Sequence, residues 1–350
     1  MSAAADGPVL ITGGAGFVGA NLADRLARDG RRVLVYDSLA RPGVERNLAW
    51  LQERHGNRIG FERGDVRDGR RLAEAVRGAA QIFHFAAQVA VTTSVDDPVA
   101  DFETNLQGTL NLLEALRAAP APLVFASTNK VYGRLAGIAL EERAARYGPA
   151  DPETERRGIS ESQPLEFYSP YGCSKGAADQ YVLDYARIYG LDTVVFRMSC
   201  LYGPRQFGTE DQGWVAHFLI SALRQQPITI FGDGKQVRDL LFVDDVVEAF
   251  LAAQRCMPEI RGEAFNIGGG PGNSVSLREL LALIERLDGR PPEVRFGPWR
   301  PGDQTYYVSD IGKFAAATGW RPGVAVEEGV GRLYAWLQEA VHSPVARRSA

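Results

Sequence analysis

Cysteine is scarce in this chain of 350 residues. Cys173, Cys200 and Cys256 are odd in number and show no CxxC spacing, which argues against a disulfide framework or a cysteine zinc site and suits a reducing compartment. Histidine is nearly as scarce. His55, His84, His217 and His342 form no spacing suited to metal, so no metal is expected, and His84 inside an apolar run reads as a core residue. No apolar run reaches the ~18 residues of a membrane span, and Met1 to Pro8 lack a basic region followed by an apolar stretch. The expectation is a cytoplasmic protein without a membrane partner. There is no polybasic block, and a formal charge of −4 gives no reason to expect a nucleic-acid partner. Lysine is the most informative shortage. Only Lys130, Lys175, Lys235 and Lys313 stand against 35 arginines, so a lysine here marks a place where a compact ammonium is wanted.

What is present suits a globular protein of about two domains, with 45% hydrophobic and 23% charged residues. Pro8 to Thr12 is a short apolar run that ends in Gly13-Gly14-Ala15-Gly16-Phe17-Val18-Gly19, and Ala20 to Arg28 then reads as helix. Gly14, Gly16 and Gly19 give one dinucleotide-binding spacing, and Gly13, Gly16 and Gly19 a wider one. In either, missing Cβ atoms let the N–H groups of Phe17, Val18 and the helix start approach a diphosphate. A second strand, Arg32 to Tyr36, ends at Asp37, where a carboxylate would hold the adenosine ribose hydroxyls and repel a 2′-phosphate, so NAD is the expected cofactor.

Further strands are expected at Ile59 to Arg63, Gln81 to Phe85, Leu123 to Ala126 and Thr193 to Arg197, and helices at Val44 to His55 and Pro98 to Ala118. This alternation describes an α/β fold with a Rossmann-type doubly wound parallel sheet. Asp65 and Val66 follow the third strand, where they suit an adenine contact, although Asp65 is equally a turn residue. Ala86 and Gln88 follow the fourth, where small residues would let the dinucleotide lie close. Ligands of such sheets bind beyond the carboxyl ends of the strands, which for the fifth strand means Ser127-Thr128-Asn129-Lys130-Val131-Tyr132-Gly133.

The second chemical stretch is Ser169-Pro170-Tyr171-Gly172-Cys173-Ser174-Lys175, which places a phenol and an ammonium on one face at a helix start. An ammonium beside a tyrosine favours the phenolate, so a group ordinarily titrating near ~10 becomes a base for an alcohol. Thr128 adds a hydroxyl able to bond the reacting oxygen or Tyr171.

On the glycine turn, Asp37, Thr128 and the Tyr171/Lys175 pair, the chain from about Val9 to Trp336 resembles the extended short-chain dehydrogenase/reductase family of nucleotide-sugar enzymes. Ser127 to Gly133, Ser169 to Tyr181, Gln88-Val89-Ala90 with Thr92-Thr93-Ser94, Asp211 to Trp214 and Gly234 to Asp239 look like its CDP-paratose 2-epimerase branch. The resemblance implies bound NAD, Tyr171 as base, Thr128 orienting the oxygen, and Lys175 tuning Tyr171 and reaching the nicotinamide ribose. The expected partner is a nucleotide-diphosphate sugar, with self-association into a homodimer or homotetramer. Dehydratases of the family carry Asp-Glu after the Ser/Thr, because elimination must protonate a leaving hydroxyl and remove a carbon-bound proton. Here the pair is Asn129-Lys130, which disfavours dehydration. The family often has an asparagine where this chain has Ser199, which weakens transfer of a substrate contact there.

By the same resemblance Gln88, Thr128, Asn129, Lys130, Arg205, Arg238, Arg300 and Asp303 are expected at the substrate, the guanidinium forks of Arg238 and Arg300 suiting a diphosphate. The division expected is residues 1–197 with 236–269 as the NAD-binding domain, 198–235 with 270–340 as a smaller α/β substrate domain, and 341–350 as a tail. The charged stretch Arg134 to Glu166 is either a lid over the sugar or a surface insertion. Helices are expected at Asp244 to Ala253, Ser276 to Leu287 and Val326 to Glu339.

Overall fold

The structure is a computed structural model that describes residues 7–300 and 302–342, with side chains to Glu339. Of the expected tail, 341–350, the first two residues belong to the last helix, Val326–His342, and the rest lie outside these residues. Five strands, β1 (Val9–Thr12), β2 (Val33–Asp37), β3 (Ile59–Arg63), β4 (Gln81–His84) and β5 (Leu123–Thr128), begin the central sheet. Thr193–Met198 and Glu263–Ile267 complete it, in the order Glu263–Ile267, Thr193–Met198, β5, β4, β1, β2, β3. Every pairing is parallel. The strands read as continuous apolar runs because helices cover both faces, and β1, β4 and β5 are buried at every position. One cluster packs Val9, Ile11, Phe83 and Phe196 against Phe250; the other packs Leu10, Ile82, Phe125 and Val195 against Leu112 and Val182. This is the expected Rossmann-type doubly wound sheet.

A second body of structure lies beyond the carboxyl ends of these strands. Val237–Phe242 is its centre, antiparallel to Ser274–Ser276 and parallel to Tyr306–Tyr307 and to Cys200–Tyr202. Ile228–Phe231 pairs with Val294–Gly297. Helices Trp214–Leu223, Leu277–Asp288 and Val326–His342 bury Leu219, Ile284 and Leu333 against Leu240 and Phe242. Within 236–269, the strand Val237–Phe242 therefore pairs in this second body, whereas Glu263–Ile267 joins the central sheet. Among the described residues no helix is long and apolar enough to cross a membrane.

The stretch from Arg134 to Glu166 is fastened to both bodies. Its hairpin, Leu140–Glu142 with Tyr147–Pro149, donates Tyr147 N–H to Lys235 O at 2.9 Å and Tyr147 Oη to Asp233 at 2.6 Å. Ile159 N–H reaches Val308 O at 2.7 Å, and Glu166 N–H reaches Val131 O at 3.0 Å. Glu161 accepts the N–H of Asn266 at 2.7 Å. A segment bonded to so many elements is a brace between the two bodies rather than a loose surface loop.

Candidate active site

The glycine turn is dictated by close backbone approach. Gly13 has φ +68°, and a Cβ there would lie 2.7 Å from Ala86 N; a Cβ on Gly19 would lie 2.5 Å from Gly13 O. A Cβ on Gly16 would come within 3.1 Å of the same carbonyl. The helix Phe17–Arg28 starts at Gly16 without a side-chain cap, so its first-turn N–H groups suit an anion. Asp37 ends β2, and its carboxylate accepts Ala15 N–H at 3.0 Å and Leu39 N–H at 2.8 Å. Burial pushes its pKa up, and those two bonds oppose the rise. Each oxygen keeps a second lone pair for a ribose hydroxyl. A pocket of about 490 Å³ lined by Ser38, Arg63, Gly64, Asp65, Asp68 and Arg71 opens beside it. The narrow backbone cradle, the uncapped helix start and the acceptor-only Asp37 together fit NAD.

Asp65 does hold its turn, accepting Arg67 N–H at 2.9 Å, and it pairs with the Arg67 guanidinium at 2.7 Å, which holds it below the usual carboxylate range. Val66 is buried against Gly108. Gln88 is committed to its own loop: its side chain donates to Ala90 O at 2.8 Å and to Asp101 at 3.0 Å and accepts Ala90 N–H at 2.5 Å. It fastens the loop that passes the cradle instead of presenting a free amide. His84 is a core residue, between Thr12 at 2.6 Å and Thr109 at 3.2 Å.

Gly13→Ala is expected to purify without NAD, as read by the nucleotide released on denaturation. A left-handed φ and a methyl pressed on the Ala86 backbone both oppose the turn. A variant retaining stoichiometric NAD would remove the turn from the cofactor site.

The helix Pro170–Tyr189 carries the phenol and the ammonium. Ser169 caps it with φ +90°, a conformation costly for a residue with a Cβ, and accepts Gly172 N–H at 3.1 Å. Ser94 accepts Tyr171 N–H at 3.1 Å. The phenol is buried and hydrogen-bonded to Thr128; desolvation pushes it up to about 12, the Thr128 bond opposing and the nearby Asp101 adding to the rise. Lys175 is 3% exposed. Its Nζ donates to Ala126 O at 2.6 Å and lies 4.3 Å from the centre of the Phe125 ring. Desolvation lowers it to about 8 against Asp179 and Asp101. Both side chains are carried four residues apart on this helix, but the ammonium is bonded to Ala126 O within β5, and on the phenol desolvation outweighs the Thr128 bond.

Thr128 both bonds the phenol and caps the turn Asn129–Tyr132, accepting Lys130 N–H at 3.2 Å. Asn129 donates to Gln304 Oε1 at 3.2 Å, and Gln304 donates to Gly133 O at 2.7 Å. Lys130 donates to Gly302 O at 3.1 Å and is lowered to about 8 by desolvation and by Arg238, against Asp303. The buried Arg238 donates to Gln304 O at 2.6 Å. These residues meet where the end of β5 faces the second body. The Arg300 guanidinium lies 3.6 Å from the Phe231 ring centre and pairs with Glu210 at 2.6 Å.

Arg205 is not brought there. It has φ +72° and lies over Trp50 at 3.9 Å, on the helix Val44–His55, so a substrate contact through this side chain is not supported. Sequence reasoning also missed Asp101 and Gln304, quoted Ser94 and Ser174 only within longer stretches, and placed Asn105 only inside the expected helix Pro98 to Ala118. A usable signal was Asp101 and Asn105 four apart on the inward face of an otherwise apolar pattern. Among the described residues no trio of His, Cys, Asp or Glu is gathered for a metal.

A doubly wound sheet with a glycine cradle, an acidic end to β2 and a buried Thr/Tyr/Lys set defines a nicotinamide-dependent enzyme of the extended Rossmann type. The chain belongs to the NAD dependent epimerase/dehydratase family, whose pattern matches residues 9–268. It is 46% identical over 339 residues to a CDP-paratose 2-epimerase of Salmonella typhi, covering 94% of this chain and 98% of that one. It resembles a Thermus thermophilus UDP-glucose 4-epimerase solved with NAD, at TM-score 0.80 and 36% identity over 95% of this chain and all of that one. A Streptomyces venezuelae dTDP-glucose 4,6-dehydratase with NAD and TYD bound matches at TM-score 0.81 and 31% identity, over 95% of this chain and 98% of that one. The cofactor is therefore NAD.

Proposed function

We propose that this protein is an NAD-dependent nucleotide-sugar epimerase that inverts C2 of a CDP-linked deoxyhexose by transient oxidation and hydride return. The observation that carries the reading is the set of side chains at the end of β5. Thr128, Tyr171 and Lys175 supply an alcohol-oxidising set, while the next two residues hold no carboxyl group: Asn129 is bonded to Gln304 and Lys130 to Gly302 O. NAD, when bound against the glycine turn, supplies a reversible hydride acceptor and a positive charge that favours the phenolate. Tyr171 takes the proton of the sugar hydroxyl and returns it after the ketone has presented its other face. Thr128 fixes the oxygen, and the Lys175 ammonium stabilises the anionic phenolate across the helix face. Arg238 and Arg300 suit the diphosphate, and the 46% identity to the Salmonella typhi enzyme supports CDP and C2.

The second reading, a 4-epimerase of a UDP- or GDP-hexose, rests on the fold shared with the Thermus thermophilus enzyme. Incubation with CDP-, UDP-, GDP- and dTDP-hexoses in deuterated water, read by NMR, separates them. Inversion at C2 of a CDP-sugar without deuterium at that carbon is expected. Inversion at C4 selects the second reading, and deuterium at the inverted carbon overturns hydride return. Failure to convert any sugar would leave an NAD-binding regulator. Self-association as a homodimer or homotetramer is supported by exposed Val95, Val99, Phe102, Tyr181, Ile188 and Tyr189 on Val91–Asp96, Pro98–Phe102 and Pro170–Tyr189.

A further inference from the structure

Asp101 is 1% exposed and accepts three hydrogen bonds from three separate elements. Gln88 Nε2 reaches it at 3.0 Å from the loop after β4, Asn105 Nδ2 at 3.0 Å, and Ser174 Oγ at 2.5 Å. Ser174 lies between Tyr171 and Lys175 on their helix. Asn105 is aimed by a single π-helical turn, Glu103–Gln107, that interrupts the two α-helical stretches Pro98–Phe102 and Gly108–Ala118. From there it also donates to Ser174 Oγ at 3.1 Å and to Gln88 O at 3.0 Å, and accepts Gln88 N–H at 2.9 Å.

Among the described residues no cation pairs directly with Asp101. A buried carboxylate served only by neutral donors is costly, and an apolar side chain of similar volume is usually no worse for stability. Three donors converging on one point call for a group that only accepts; an asparagine would turn its own N–H₂ against one of them. The cation whose charge acts on this carboxylate is the Lys175 ammonium, one position beyond Ser174. The other charged or titratable groups around that ammonium are Asp179, which is paired with Arg197 at 2.9 Å yet still acts on Lys175 ahead of Asp101, with His84 and Tyr171.

We infer that Asp101 is a positioning residue: its carboxylate ties the Gln88–Ala90 loop to the Tyr171 helix and keeps the Lys175 ammonium charged beneath the substrate. The inference rests on Tyr171 and Lys175 being the reactive pair. It does not depend on which sugar is turned over.

Four lysines make the test direct. The protein is labelled with ¹³C at lysine Cε, NAD is added to saturation, and each resonance is followed against pH, Lys175 being assigned by its loss in Lys175→Met. Removing a neighbouring negative charge disfavours the ammonium, so in Asp101→Asn the Lys175 midpoint is expected to fall below that of the parent by about half a pH unit or more. Lys235 and Lys313 are expected not to move. Ser174→Ala breaks one bond and keeps the charge, and should leave the Lys175 midpoint within about 0.2 of the parent. An unchanged midpoint in Asp101→Asn, or an equal fall in Ser174→Ala, overturns the inference. If Asp101→Asn does not fold, Asp101→Ser, which admits water to the three donors, carries the same comparison. On a sugar that is turned over, both limbs of the kcat profile should move to lower pH in Asp101→Asn, whereas a structural lesion alone would lower kcat without moving them. Because the lysine titration involves no sugar, failure of the epimerase reading would leave its result standing.

Discussion

Tyr171→Phe keeps its NAD and loses turnover by about 10³-fold. The ring at this position is 7% exposed, and a phenylalanine fills the same space. The backbone bond from Tyr171 N–H to Ser94 and the Ser169 cap on Gly172 survive the change, so the helix start is preserved. The lost atom is the phenol oxygen, which bonds Thr128 and, in the proposed reaction, takes the proton of the sugar hydroxyl. The glycine cradle and Asp37 lie on other elements, so released nucleotide should match the parent. Because a phenol pushed up to about 12 is protonated at neutral pH, activity should depend on the positive charges gathered near it. The parent profile should therefore lose activity toward low pH as the phenolate is protonated. A Tyr171→Phe variant with more than a tenth of parental kcat would remove Tyr171 from the base role.

The central sheet was legible because its strands are buried on both faces and their apolar runs stand out against glycine and charged boundaries. The cradle was legible for a related reason: only glycine permits the approach to Ala86. Where several chain segments cooperate, the sequence said less. Pro98 to Ala118 reads as one helix, but Asn105 must turn inward to reach Gln88 and Asp101, and a five-residue π turn is invisible to a 3.6-residue period. Val91–Asp96, which holds Tyr171 through Ser94, is too short and polar to show a period. Lys175 and Tyr171 share a helix face as their spacing requires, yet where the ammonium points is set by the carbonyl of Ala126, which no local pattern reveals. Arg205 was expected on the resemblance alone, and with a left-handed backbone it lies over Trp50. The brace from Arg134 to Glu166 was undecidable because its partners, Val308, Asn266 and Lys235, are distant in the chain.

Asp179→Ala is expected to cost about 3–5 kcal/mol and to lower the melting temperature by on the order of 10 °C. Asp179 and Arg197 form a two-pronged pair, Nε to Oδ2 and Nη2 to Oδ1 both at 2.9 Å, with side chains 0% and 6% exposed. Ser127 Oγ donates to the same carboxylate at 2.8 Å, and Arg197 Nη1 reaches Tyr132 Oη at 3.2 Å. The pair thus joins the Tyr171 helix, the strand Thr193–Met198 and both ends of the turn that carries Thr128. Removing the acid strands a guanidinium in the interior, and the penalty comes from that orphan more than from the lost attraction. The double variant Asp179→Leu with Arg197→Met leaves no charge behind and should recover most of the stability. It should not recover turnover, since Ser127 and Tyr132 lose the partners that hold the turn on either side of Thr128. Denaturant unfolding checks the first statement: a single variant within about 1 kcal/mol of the parent would show that water or another acid serves Arg197. A double variant with parental kcat would show that the Thr128 turn is held by the brace at Val131 and by Gln304 instead.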